Sequence, residues 1–80
     1  MIELLNTANK IIGLKQCKKA ASEGRISVLY VADDADPSIT GPVAEEAEKI
    51  GAKVFRVDTM KELGKACAID VGASLAAVLK

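Results

Sequence analysis

The chain contains no histidine and no tryptophan, and Tyr30 and Phe55 are its only aromatic side chains. Without imidazole, Ser22, Ser27, Ser38 and Ser74 lack the partner that usually activates a nucleophilic serine, and no Gly-x-x-x-x-Gly-Lys phosphate loop occurs. The expectation is therefore a protein that is not an enzyme. Cysteine is nearly absent as well: Cys17 and Cys67 stand fifty residues apart and in no Cys-x-x-Cys pair. A four-ligand zinc site has too few nitrogen and sulfur donors, so both cysteines are expected to be buried thiols of a reducing compartment. Net charge is missing too, eleven basic residues balancing eleven acidic ones. No basic segment precedes an apolar stretch in Met1-Ile-Glu-Leu-Leu-Asn-Thr7, and no apolar run approaches membrane-spanning length. A soluble cytoplasmic protein with no membrane partner, no cofactor and no metal is the expectation.

What the chain has is an apolar half and an uneven distribution of charge. Eighty residues, 50% of them hydrophobic, allow one domain, 1–80, with a modest core. Lys10, Lys15, Lys18, Lys19 and Arg25 outnumber Glu3 and Glu23 in residues 1–30, whereas acids prevail from Asp33 to Glu62. That polarity suggests one basic face, although segments of sequence are not surfaces.

Ile2, Leu5, Ala8, Asn9 and Ile12 follow a roughly helical spacing, while Lys10 to Ile12 also reads as a short β segment leading to Gly13. A helix is predicted from Lys15 to Glu23, stopped by Gly24, and a buried strand from Ile26 to Ala32. Pro42 suits the first turn of the next helix, which buries Val43, Ala47 and Ile50, exposes Glu45, Glu46, Glu48 and Lys49, and stops at Gly51. Lys53 to Val57 is a second strand, and Thr59 with Glu62 has the capping-box spacing for a helix over Met60–Cys67. Val71 to Leu79 is predicted to be a closing strand, although its alanines also favour helix. Leu63, Cys67, Ile69 and Val71 read as core by composition.

Alternating helices and buried strands imply an α/β fold, a three-layer α/β/α sandwich with a small mixed sheet of about four strands. Ligands of such folds gather where loops meet at one end of the sheet, here the loops at Gly13, at Asp33–Pro37 and at Asp58–Met60. Asp33, Asp34 and Asp36 lack the glycine and distal glutamate of an EF-hand, so capping and solubility explain them better than a cation does.

Gly13-Leu-Lys-Gln-Cys-Lys-Lys-Ala20 pairs a loop glycine with a cationic, amide-bearing helix start. Unpaired N–H groups and a partial positive charge can seat phosphate there while Lys15 and Gln16 reach base edges. On its own such a run is more often a solvated helix face. Together with Val31-Ala-Asp-Asp-Ala-Asp-Pro37 and Leu63-Gly-Lys-Ala-Cys67, in the same order and spacing, it resembles the ribosomal L-seven-Ae superfamily of kink-turn RNA-binding proteins. The likeness spans nearly the whole chain, and the length is similar to that of the short bacterial relatives.

The resemblance implies an α/β/α domain that clamps a sharply bent RNA, ribosomal or riboswitch RNA being the expected class and the ribosome a candidate partner. It would act as a monomer. The family's Gly-x-Asn-Glu helix start, with a lysine three residues after the glutamate, falls on Gly13, Leu14, Lys15, Gln16 and Lys19. Lys15 thus replaces asparagine and Gln16 replaces glutamate. The resemblance also carries RNA contacts over to Asp36 and Thr40, to Asp58, Thr59 and Met60 against a flipped-out nucleotide, and to Val71, Gly72 and Ala73. Ala68 replaces a common glycine. Two readings of another class stand beside this one: a receiver-like regulatory domain, suggested by paired aspartates after a buried strand, and a protein-interaction module using the acidic Glu45–Lys49 helix.

Overall fold

The computed structural model describes residues 9–67, 69 and 71–80; the helical spacing at Ile2, Leu5 and Ala8 and the replacement at Ala68 lie outside them. Within them the order is β1 (Lys10–Ile12), α1 (Leu14–Ser22), β2 (Ile26–Ala32), α2 (Pro37–Lys49), β3 (Lys53–Val57), α3 (Met60–Ala66) and β4 (Leu75–Leu79). The sheet is mixed, with strand order β1-β4-β2-β3. β4 is antiparallel to both of its neighbours, and only β2 and β3 are parallel. A receiver-like arrangement needs a doubly wound parallel sheet, so that alternative is corrected by the topology. No helix among the described residues is long and apolar enough to cross a membrane.

Two cores lie on opposite faces of the sheet, which is why β2 reads as a nearly continuous apolar run. Leu29, Val31, Leu75 and Ala77 pack under α1 and α2 with Cys17, Ala20, Val43 and Ala47. Val28, Tyr30, Ala32 and Ala76 pack under α3 with Leu63 and Cys67. The layers are therefore α1 and α2, the sheet, then α3. Strict alternation would put Ile26 with Val28 and Tyr30, yet it belongs to the other core. The cause is a bulge: Ile26 opposes Leu79 and Val28 opposes Val78, so Ser27 is the extra residue and reverses the facing of Ile26.

The alanines of β4 are strand after all, because a central strand must fit between larger neighbours. Ala76 lies opposite Tyr30, whose ring stacks on Phe55 at 5.8 Å between centroids. The strand is shorter than expected, beginning at Leu75 and not Val71. Residues 71–74 instead bridge from α3, with Ala73 N donating to Met60 O at 3.0 Å. Val71, read as core by composition, is 70% exposed.

The other departure is α2, which starts at Pro37 with Asp36 as its N-cap, leaving Pro42 inside the helix. The aspartate and the proline satisfy the capping and first-position rules better than Pro42 does. Gly41 directly before Pro42 has no Cβ to meet the proline ring, and this eases the interior position.

Both cysteines are buried free thiols. Burial, reinforced by Cys67, pushes the Cys17 thiol up to about 12 from 9.0. A neutral native thiol whose unfolded form ionises earlier gives stability that is complete below about pH 9 and lost as pH rises through about 12. The stability difference between wild type and Cys17→Ala in urea should therefore narrow over that alkaline range. A second expectation concerns Gly64 in α3, where an added Cβ would collide with the carbonyl oxygen of Val71 and lie 3.1 Å from Gly72 Cα. Gly64→Ala should cost about 1–3 kcal/mol in urea unfolding, because backbone rather than a flexible side chain has to move.

Candidate functional site

Strand directions alone bring the site together. β2 and β3 are parallel, β4 opposes β2, and β1 opposes β4. Consequently β1, β2 and β3 end, and β4 begins, at a single edge of the sheet. Each helix follows a strand, so all three helix N-termini also lie there. The segments singled out in the sequence, 13–19, 36–40, 58–60 and 71–73, start from this edge.

Backbone hydrogen bonds lace the loops together. Gly13 N donates to Leu75 O at 2.8 Å, Ala32 N to Ser74 O at 3.0 Å, and Asp33 N to Val57 O at 2.7 Å. With the bond from Ala73 N to Met60 O, the entry to β4 touches three other segments.

The three helix starts differ chemically. Asp36 caps α2 by accepting from Ser38 N at 2.9 Å, and Thr59 caps α3 by accepting from Glu62 N at 3.0 Å. In contrast, α1 begins at Gly13 with φ 100° and ψ 161°, has no side-chain cap among the described residues and carries no acid in its first turn. Only glycine adopts that backbone readily. The first N–H groups of α1 therefore keep their partial positive charge unshared by any side chain among the described residues. Around them Leu14, Lys15, Gln16, Lys18 and Lys19 are exposed, while Cys17, Ala20 and Ala21 face the core at helical spacing.

Carboxylates beside an anion site would oppose it; Asp58 is exposed at this edge, whereas the three aspartates of the loop after β2 are engaged. Asp33 accepts from Arg56 Nη1 at 2.9 Å, and Asp34 Oδ1 accepts from Met60 N at 2.7 Å. Ser38 N and its hydroxyl both donate to Asp36, and these bonds hold the Asp36 carboxyl below its ordinary value. The loop aspartates thus serve as caps and ties, as their spacing suggests.

Four large apolar side chains are exposed among the described residues: Leu14, Ile39, Met60 and Val71. Leu14 and Met60 begin their helices, Ile39 lies in the first turn of α2, and Val71 follows α3. Ile39 was missed by the sequence reading; recognising Asp36-Pro37 as a helix start would have placed it here. It lines a groove of about 570 Å³ between α1 and α2 together with Leu14, Lys18 and Val43.

Not every expected contact reaches the surface. Thr40 is buried and its hydroxyl donates to Asp36 O at 3.5 Å, so it supports the turn that Asp36 caps. Ala73 is likewise buried and is tied to Met60 through its backbone. Asp58, Met60, Val71 and Gly72 are exposed, and Thr59 is partly so.

No family model matches the chain. It is 42% identical over 78 residues to an RNA-binding protein of Geobacillus sp. (strain WCH70), covering 98% of this chain and 95% of the relative. The RNA-binding protein YbxF of Geobacillus stearothermophilus is 41% identical over 78 residues, with the same coverage. The large ribosomal subunit protein eL8 of Halobacterium salinarum is 35% identical over 68 residues, 84% of this chain but 57% of that longer protein. Among solved structures, the 15.5kD RNA binding protein of Giardia lamblia superposes with a TM-score of 0.88 at 23% identity, over 99% of this chain and 70% of that one, a likeness of fold.

The Asp36 cap has a testable pH signature. Its lowered native pKa means that its contribution is present above the ordinary 3.8 and is lost as pH falls through the native value. Asp36→Ala should lower the urea midpoint near neutral pH, and the gap from wild type should close as the solution is acidified through that range.

Proposed function

This chain belongs to the ribosomal L-seven-Ae superfamily, and we propose that it binds structured RNA at kink-turns and stabilises their bent form without catalysis. A regular A-form duplex hides its base edges in a deep, narrow major groove, so a helix terminus can read them only where the duplex is deformed. Tandem G·A pairs and a sharp bend supply that deformation. A protein that binds the kinked form better than the extended one shifts the RNA toward the kink.

The observation that carries this reading is the open, cationic N-terminus of α1 on the edge where four loops meet. Phosphate suits the free N–H groups beside Gly13. Lys15 donates to guanine O6 or N7 or to phosphate, Gln16 can accept from a guanine edge as well as donate, and Lys19 follows the backbone. Leu14, Met60 and Val71, with the Asp58–Thr59 turn and Gly72, offer an apolar surface for a nucleotide that has left the stack. Asp36 and the buried Thr40 shape the neighbouring turn, and Ala73 fixes Met60 from below. Groove and backbone recognition of this kind does without aromatic platforms, in keeping with a chain that has two aromatic residues. Ribosomal and riboswitch RNAs, and the ribosome itself, are the proposed sources of such motifs, and a monomer suffices for the contact.

The test is a titration at near-physiological salt against a labelled kink-turn and against a matched duplex whose two G·A pairs are replaced by Watson–Crick pairs. Selective binding to the first, with bending of the RNA, is expected; equal binding to both would overturn the reading. Lys15→Ala and Gln16→Ala should each remove about 1–3 kcal/mol of kink-turn affinity while leaving the fold intact. Affinity should also fall linearly with salt on logarithmic axes, its slope reporting the phosphates neutralised.

A further inference from the structure

The three aspartates of the loop after β2 stand beside an edge proposed to receive a polyanion, and each calls for a physical reason there, because a carboxylate repels phosphate. Asp33 is offset by the Arg56 guanidinium at 2.9 Å, and Asp36 is spent on the first turn of its own helix. Asp34 differs: its Oδ1 accepts from Met60 N at 2.7 Å, across a sequence separation of 26. Met60 O accepts in turn from Ala73 N at 3.0 Å. A Cβ added at Gly72 would lie 3.1 Å from Met60 Cβ, so this segment passes close over Met60.

A relay thus runs from Asp34 through Met60 to Ala73, and it sets where two exposed apolar groups, Met60 and Val71, stand on the edge. The carboxylate also satisfies an N–H at the start of α3 that has no partner within its helix. We infer that Asp34 is a positioning residue for RNA recognition, holding the Met60 and Val71 surface in its binding geometry. The inference rests on the kink-turn reading given above. Asp34 itself need not touch RNA: ordering the loop beforehand spares the complex the entropy of fixing it on binding.

Charge and positioning predict opposite signs. Were Asp34 only a solvated acid, removing it would tighten RNA binding by relieving repulsion. As a positioning residue, Asp34→Ala should weaken binding to the labelled kink-turn about three- to tenfold, the fold-change of one lost hydrogen bond. Its binding to the Watson–Crick duplex should not weaken. Asp34→Asn keeps an acceptor oxygen while removing the charge, and should restore kink-turn affinity to at least the wild-type level. Asp34→Glu keeps the charge but displaces the oxygen, and should weaken binding in the manner of the alanine variant; it carries the test if circular dichroism shows Asp34→Ala unfolded. Undiminished kink-turn affinity in Asp34→Glu, or in a folded Asp34→Ala, overturns the inference, as does an equal loss in Asp34→Asn. Failure of the wild-type protein to prefer the kink-turn would instead remove the reading on which it rests.

Discussion

The position of β4 in the sheet governs most of what surrounds it. The last strand in the chain is inserted between the first two, antiparallel to both, and its entry segment supplies hydrogen bonds to the ends of β1 and β2 and to the start of α3. Since those segments are distant in sequence, no local preference could assemble them. Gly64 makes the arrangement possible by leaving the room that the Val71 carbonyl takes up, and the bare Gly72 lets the chain pass over Met60. The edge is therefore a by-product of closing the sheet, with a rigidity that follows from backbone bonds more than from surface ion pairs. Arg56–Asp33, the ion pair at this edge among the described residues, is solvent-exposed, where such pairs contribute little.

Electrostatics at the edge are organised by use and not by net charge. A chain of zero formal charge can offer an anion a favourable surface if acids near it are partly occupied and one helix start carries neither acid nor described side-chain cap. Asp33, Asp34 and Asp36 are held by Arg56, by the Met60 N–H and by Ser38, whereas α1 has no acid in its first turn and no side-chain cap among the described residues. The proposed RNA-binding role draws on this asymmetry among three helices whose N-termini share a single edge. The exposed apolar groups add a second, uncharged component to that proposed surface.

Much of this was legible beforehand. The apolar run of β2, the N-cap at Thr59, and the stop at Gly24 each correspond to observed features, because each depends on neighbours a few residues away. Pro42 misled because a proline before an amphipathic stretch has the local look of a helix start; the earlier pair Asp36-Pro37 takes that role, with Asp36 accepting from Ser38 N. Val71 misled in the other direction. Its β-branched side chain belongs by preference to a core strand, but the contact between Gly64 and the Val71 backbone fixes the segment before β4 can begin, and the side chain turns outward. Thr40 could not have been placed without knowing that it lies one helical turn beyond Asp36 on the buried side of α2.

By itself, then, the sequence determined the class of fold, the alternation of elements, the two buried thiols and the basic helix start, since hydropathy period, capping chemistry and residue type act over short spans. It carried the family resemblance for the same reason, in three short motifs. Tertiary structure decided the order of strands, the bulge at Ser27 that assigns Ile26 to its core, the exposure of Val71 and Ile39, and the tie from Asp34 to Met60. These depend on which distant segments share a hydrogen bond or a few ångströms of space, and such pairings exist only once the sheet has closed.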